Sequence, residues 1–291
     1  MKKRNLGPIL LILIFVIAFV GYRYYDVLHT DTEAPVITVD QSRQLQVSVE
    51  DPKNLLLEGV TASDAQDGDV TGKLVVESVR LVDKDGLIEV VYAVADKSGN
   101  VAKAARNVLY TDYDSPKFSL NGPLIYEDNV KFDIMSAVFA HDVLDGDIQH
   151  RIRATSLAEK DISNVGKHQV YFQVTNSIGD TAEIVMPVEV LKTGTYAAEL
   201  TLTDYLVYIP AGANFQPKSY LSRFTYKSED MSLRGILPDD LSVETAGSVD
   251  TDTPGVYTVE YEVTYTVRHE TNPEFDQHFT GYSKLIVVVE G

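Results

Sequence analysis

Three glycines, each standing six residues ahead of an aromatic residue in an alternating apolar run, constrain this 291-residue chain more than any other feature. The runs are Gly86-Leu-Ile-Glu-Val-Val-Tyr92, Gly166-Lys-His-Gln-Val-Tyr-Phe172 and Gly255-Val-Tyr-Thr-Val-Glu-Tyr261. Alternation with β-branched and aromatic residues is the pattern of a half-buried strand, whose side chains point to opposite faces in turn. After the first two runs, short loops holding Gly99 and Gly179 lead into further strand-like segments, 101–109 and 181–191, so each pair reads as a β-hairpin. Upstream, Ala62-Ser-Asp64-Ala-Gln-Asp67-Gly68-Asp69 matches Ala140-His-Asp142-Val-Leu-Asp145-Gly146-Asp147, and Ala34-Pro35 matches Ser115-Pro116. Equivalent positions lie about 80 residues apart, too long for a solenoid unit and right for a small sandwich with its own core. No segment after Tyr25 sustains a 3.6-residue apolar period, so the fold expected is all-β.

These motifs together resemble the bacterial Ig-like repeats strung along surface proteins. That family's pattern is an opening Pro-Val-Ile strand, an A-x-D-x-x-D-G-D segment, a Pro-Gly-x-Tyr turn and a Y-x-V-x-D-x-x-G-N hairpin. The first repeat carries nearly all of it, ending in Asp96-Lys-Ser-Gly99-Asn100; the second has Asn176 and Asp180 at the equivalent places. The third has Pro254-Gly255-Val-Tyr257 but no D-G-D segment. The resemblance spans about residues 32–291. It implies three tandem Ig-like β-sandwiches, at 32–112, 113–192 and a divergent 193–291, each folding alone when the chain is cut near Asp112 and Thr193.

The N-terminus is of another kind. Between Arg4 and Arg23 no residue is charged, and Leu6 to Tyr22 is almost wholly apolar. That length approaches the roughly 17 to 20 residues needed to cross a hydrocarbon core. Lys2, Lys3 and Arg4 precede the run, and Asp26, Asp31 and Glu33 follow it. The positive-inside rule then expects a single-pass anchor over residues 6–25, with residues 1–5 cytoplasmic and the repeats outside the cell. A cleaved signal peptide is the competing reading, disfavoured by the missing A-x-A site and the length of the run.

Charge removes one class of partner. Of 25 basic residues four precede Asp26, and none of the 43 acidic ones does, leaving a net charge of about −22 on the remainder. Such a surface repels nucleic acid and anionic headgroups. With no cysteine in the chain, disulfides and thiol chemistry are both out.

Two groups of residues are candidates for function. Asp64, Asp67 and Asp69, with Asp142, Asp145 and Asp147, offer carboxylate oxygens to a hard cation such as Ca²⁺. The favoured alternative is that they are turn residues, because Asp accepts from nearby amides and Gly supplies positive φ. The spacing also lacks the EF-hand's terminal Glu. The long final hairpin, crossing near residues 271–277, carries Phe275, Phe279 and Tyr282 as an interaction surface or as a brace against the second repeat. His141 and His150 flank the second acidic segment, while His269 and His278 lie on opposite arms of the last hairpin; neither pair completes a metal or catalytic pattern. No nucleophile elbow is present. The chain therefore reads as a non-catalytic surface adhesion, interaction or scaffold module with no cofactor beyond the Ca²⁺ alternative. Its partner would be a surface protein or an envelope glycan. The second functional reading is an accessory protein of envelope polysaccharide binding, assembly or export, weakened by the absence of Trp but served by 17 Tyr.

Overall fold

The computed structural model describes residues 7–156, 162–226, 229–230, 241–268 and 272–291. The chain divides into two compact units, Met1–Tyr113 and Asp114–Gly291. After helix α1 (Gly7–His29) the first unit holds β1 (Val36–Val39), β2 (Leu45–Val47), β3 (Val60–Asp64), β4 (Gly68–Asp69), β5 (Val75–Leu81), β6 (Leu87–Ala95) and β7 (Val101–Tyr110). These form two sheets, β1-β3-β4 and β2-β7-β6-β5, in which β2 lies parallel to β7.

Strand β6 shows how the alternation becomes a core. Ile88, Val90, Tyr92 and Val94 are buried while the residues between them are half-exposed. Val108 of β7 and Val60 and Ala62 of β3 are buried as well, and the two sheets are sandwich-like. The buried Tyr92 hydroxyl donates to the Leu56 carbonyl (2.7 Å) and accepts from Arg106 Nε (2.8 Å), which satisfies its polar end. Gly86, which opens the motif, has φ of +92°, and a Cβ there would stand 2.5 Å from the Tyr110 carbonyl oxygen. Only glycine fits.

The second unit opens with the same plan. Strands β8 (Lys117–Leu120), β9 (Ile125–Glu127), β10 (Val138–Asp142), β11 (Gly146–Asp147), β12 (Arg153–Ser156), β13 (Gly166–Thr175) and β14 (Thr181–Leu191) pair as β11-β10-β8 and β12-β13-β14-β9. Here β9 is parallel to β14, as β2 is to β7. The third repeat follows with β15 (Ala198–Leu202), β16 (Leu206–Pro210), β17 (Leu221–Tyr226), β18 (Glu229–Asp230), β19 (Leu241–Ala246), β20 (Gly255–Val267) and β21 (Gln277–Glu290). It departs from the plan at one point: β15 also pairs parallel to β21, with Ala198 opposite Gly281, and this joins its strands into one seven-stranded sheet. Gly281 permits that approach, since a Cβ would lie 2.8 Å from the Phe224 ring and 3.2 Å from the Ala198 carbonyl oxygen.

Repeats two and three are not separate bodies. Leu206 and Ile286 belong to the core of the second repeat, among Phe118, Val138, Phe172 and Met186. Leu285 and Val287, their neighbours on β21, belong to the core of the third with Phe224 and Tyr261. The β16–β21 pair thus has a core on each face. Polar contacts reinforce the join: the buried Lys284 ammonium pairs with Glu189, Lys167 with Glu260 (2.5 Å), Lys117 with Glu290 (3.1 Å), and the Phe118 amide donates to the Tyr208 hydroxyl (3.0 Å). The expected boundary at 192/193 falls inside this unit.

The N-terminal segment differs from expectation. Among the described residues no helix is long and apolar enough to cross a membrane. The single-pass anchor expected over residues 6–25 finds no support in this, and residues 1–6 lie outside the described part. The large apolar side chains from Leu10 to Val20 are all more than half exposed.

Candidate cation site and aromatic groove

The end of β3, the turn after β6 and the residues before β1 meet at one end of the first sandwich. They bring Asp31, Asp64 and Asp96 together, each contributing a carboxylate oxygen within 4.8 Å of the others. All three are more than nine-tenths buried. Each is fixed by local amides. The Glu33 amide donates to Asp31 Oδ1 (3.0 Å), and the Gln66 and Asp67 amides donate to Asp64 Oδ1 (2.9 and 2.8 Å). The Asn100 amide donates to Asp96 Oδ1 (2.9 Å), while its side-chain Nδ2 donates both to Asp96 Oδ2 (2.7 Å) and to the Asp31 carbonyl (3.0 Å). Asp64 Oδ2 is buried with no partner. Burial pushes the Asp96 pKa up, but hydrogen bonds from Asn100, Gly99 and Ser98 outweigh it and hold the group below the ordinary carboxylate value.

The second repeat builds the same turn with a different outcome. The Leu144 and Asp145 amides donate to Asp142 Oδ1 (both 2.9 Å), as at Asp64. The residue equivalent to Asp96 is Asn176, and its Nδ2 donates to Asp142 Oδ2 (2.9 Å). An amide thus satisfies in repeat two the oxygen that a carboxylate leaves unsatisfied in repeat one.

The other acidic candidates serve the turns. Asp67 Oδ2 accepts from the Lys97 amide (2.6 Å) and Asp145 Oδ2 from the Ser177 amide (2.6 Å), tying each D-G-D segment to the hairpin that follows. Asp67 also pairs with Lys97 Nζ (3.1 Å), and Asp145 with Arg151 (2.6 Å). The Lys97 amide, followed by burial acting the other way and then by the Lys97 ammonium, leaves the Asp67 pKa lowered. Exposed Asp69 accepts from the Thr71 amide (2.9 Å), and exposed Asp147 meets His141 Nδ1 (3.2 Å). His150 sits in the single 3-10 turn Gln149–Arg151; His278 Nδ1 contacts the Thr266 hydroxyl (2.8 Å), and His269 lies outside the described residues.

The three aromatic candidates of the last hairpin have separate environments. Phe279 packs inward on Tyr226, with ring centroids 4.1 Å apart, and the side chain of Phe275 lies outside the described part. Tyr282 stacks on Tyr196 at 5.0 Å and 14° and donates to Glu189 (3.2 Å), so it braces β21 against β14. Burial, then the Glu189 and Glu260 carboxylates, push its pKa up. Tyr282 also lines a groove of about 330 Å³ together with Tyr126, Tyr196, Tyr205, Glu127 and Glu199. No sequence motif marked Tyr126, Tyr196 or Tyr205; they converge only because repeats two and three are joined.

No protein-family model matches the chain. The pesticidal crystal protein Cry22Aa of Bacillus thuringiensis is 31% identical over 210 residues, which is 71% of this chain and 27% of that protein. The chain thus spans about a quarter of the length of this curated relative. Among solved structures, Drosophila N-cadherin EC1-4 aligns over 90% of this chain and 76% of its own, at 14% identity and a TM-score of 0.23. The M60 catalytic domain with CBM51-1 and CBM51-2 from Clostridium perfringens ZmpB aligns over 88% and 43%, at 12% identity and 0.25.

Proposed function

We propose that this chain is a non-catalytic binding or interaction module displayed outside the cell, with α1 as its membrane anchor. The observation that carries the reading is the join of repeats two and three around β16 and β21. It makes a stiff body that holds a surface at a set place instead of a hinged string. The exposed apolar face of α1 supports the anchor, because such a surface needs cover by lipid or by protein. Protease added to intact cells tests the display: digestion should remove everything beyond about Thr30 and leave a small membrane-bound stub. Full protection of the repeats, or their release into the medium with a new N-terminus near Gly21, would sink the anchored arrangement.

The groove favours a second reading, in which the partner is an envelope glycan. Flat aromatic faces beside carboxylates suit the apolar faces and hydroxyls of sugars. Binding to a glycan array that falls on Tyr196→Ala, with the fold intact by circular dichroism, supports it. Capture of a surface protein by crosslinking on intact cells, unaffected by that substitution, favours a protein partner.

A further inference from the structure

We propose that Asp31, Asp64 and Asp96 bind a divalent cation of the calcium type. Three carboxylates, with neither imidazole nor thiolate among them, form a set of hard oxygen donors. Their burial and mutual closeness oppose their common charge, and none of the three has an ion pair with a described Lys, Arg or His. The orphaned oxygen of Asp64 points to a missing partner, since a buried acceptor normally has one.

The second repeat rules out the simplest alternative, that the turn itself requires this arrangement. Asp142 makes the same two amide bonds as Asp64, yet its remaining oxygen is taken by Asn176. The turn therefore also forms with an amide opposite the carboxylate. What the carboxylate of Asp96 adds is negative charge facing Asp64, which a cation requires and a turn does not; repeat two carries its second acid at Asp180, in the place of Asn100. Calcium there fastens the segment before β1 to the ends of β3 and β6, where Asn100 already bridges Asp96 and the Asp31 backbone. The entry of the chain into the first sandwich becomes rigid when the ion is present.

Calorimetric titration of the full chain in detergent, stripped with chelator and then given calcium chloride, tests the assignment together with the melting of the first unit. One calcium event is expected, and it should raise the melting temperature of the first unit while sodium at matched ionic strength does not. Asp96→Asn installs the residue that repeat two already carries. It should fold, melt higher than the chelated wild type, and bind calcium about tenfold more weakly or worse, as expected on losing a charged ligand. If that variant does not fold, Asp31→Asn, altered ahead of the first strand, carries the same test and should show the same weakening. Asp145→Asn in the second repeat should titrate like the wild type. Absence of any calcium-specific effect overturns the assignment. So does binding that survives both Asp96→Asn and Asp31→Asn, or that disappears in Asp145→Asn.

Discussion

Asp67 and Asp64 lie three residues apart in one turn, yet their surroundings give them different roles. The Lys97 amide and ammonium meet Asp67 and hold its pKa below the ordinary value. A carboxylate lowered in the folded state contributes stability above its unfolded pKa and loses it as pH falls through the folded one. Urea unfolding of the first unit from pH 7 downward should therefore show a loss below about pH 4 that Asp67→Asn lacks. At Tyr261, the buried hydroxyl donates to the Pro217 carbonyl (2.8 Å), whereas the equivalent Phe172 has no hydroxyl to place. Tyr261→Phe should lower stability by about 1–2 kcal/mol through the carbonyl left unpaired, seen as a lower urea midpoint at an unchanged slope. The D-G-D turns were legible in the sequence because Asp and Gly have strong local preferences. The carboxylate cluster was not: Asp31 and Asp96 are far from Asp64 along the chain, and folding alone unites them. The available signal was the exchange of Asp96 and Asn100 for Asn176 and Asp180 between the matching turns.

Strand β21 shows where alternation stops being informative. Its C-terminal end, Val287 to Glu290, alternates as a strand with one wet face does, but Ser283 to Val287 is buried throughout. The apolar run Leu285-Ile-Val-Val-Val289 carries that message, since a continuous run marks a strand covered on both faces. The hairpin was readable; the second core packed on its far side was not, because a single repeat contains no record of its neighbour. Lys284 is the polar test of this element. It is buried with Glu189, and removing one partner of a buried pair leaves the other charged and unmatched. Lys284→Met should destabilise the second unit by about 3–5 kcal/mol, and adding Glu189→Leu should restore much of the loss. A double-mutant cycle measured by thermal unfolding decides it: strictly additive effects would show that the two groups act independently.

For the whole chain, the repeat count and the number of cooperative units differ. Three Gly-to-aromatic motifs end in three fully buried rings, Tyr92, Phe172 and Tyr261, so the buried aromatic of each repeat was legible from spacing alone. Only two compact units result, because β16 and β21 supply side chains to two of those cores. Scanning calorimetry should accordingly resolve two transitions, with repeats two and three melting as one; three independent transitions would contradict the shared strand pair. The parallel pairings carry a mechanical consequence. In each repeat a strand near its start lies alongside the strand at its end, running in the same direction, over three residue pairs for β2–β7 and β9–β14 and five for β16–β21. Tension between the ends of a repeat pulls such neighbours in opposite senses along their length, so their bonds are loaded together in shear and not unzipped one at a time. The third repeat, with the longest such clasp, is built to yield last.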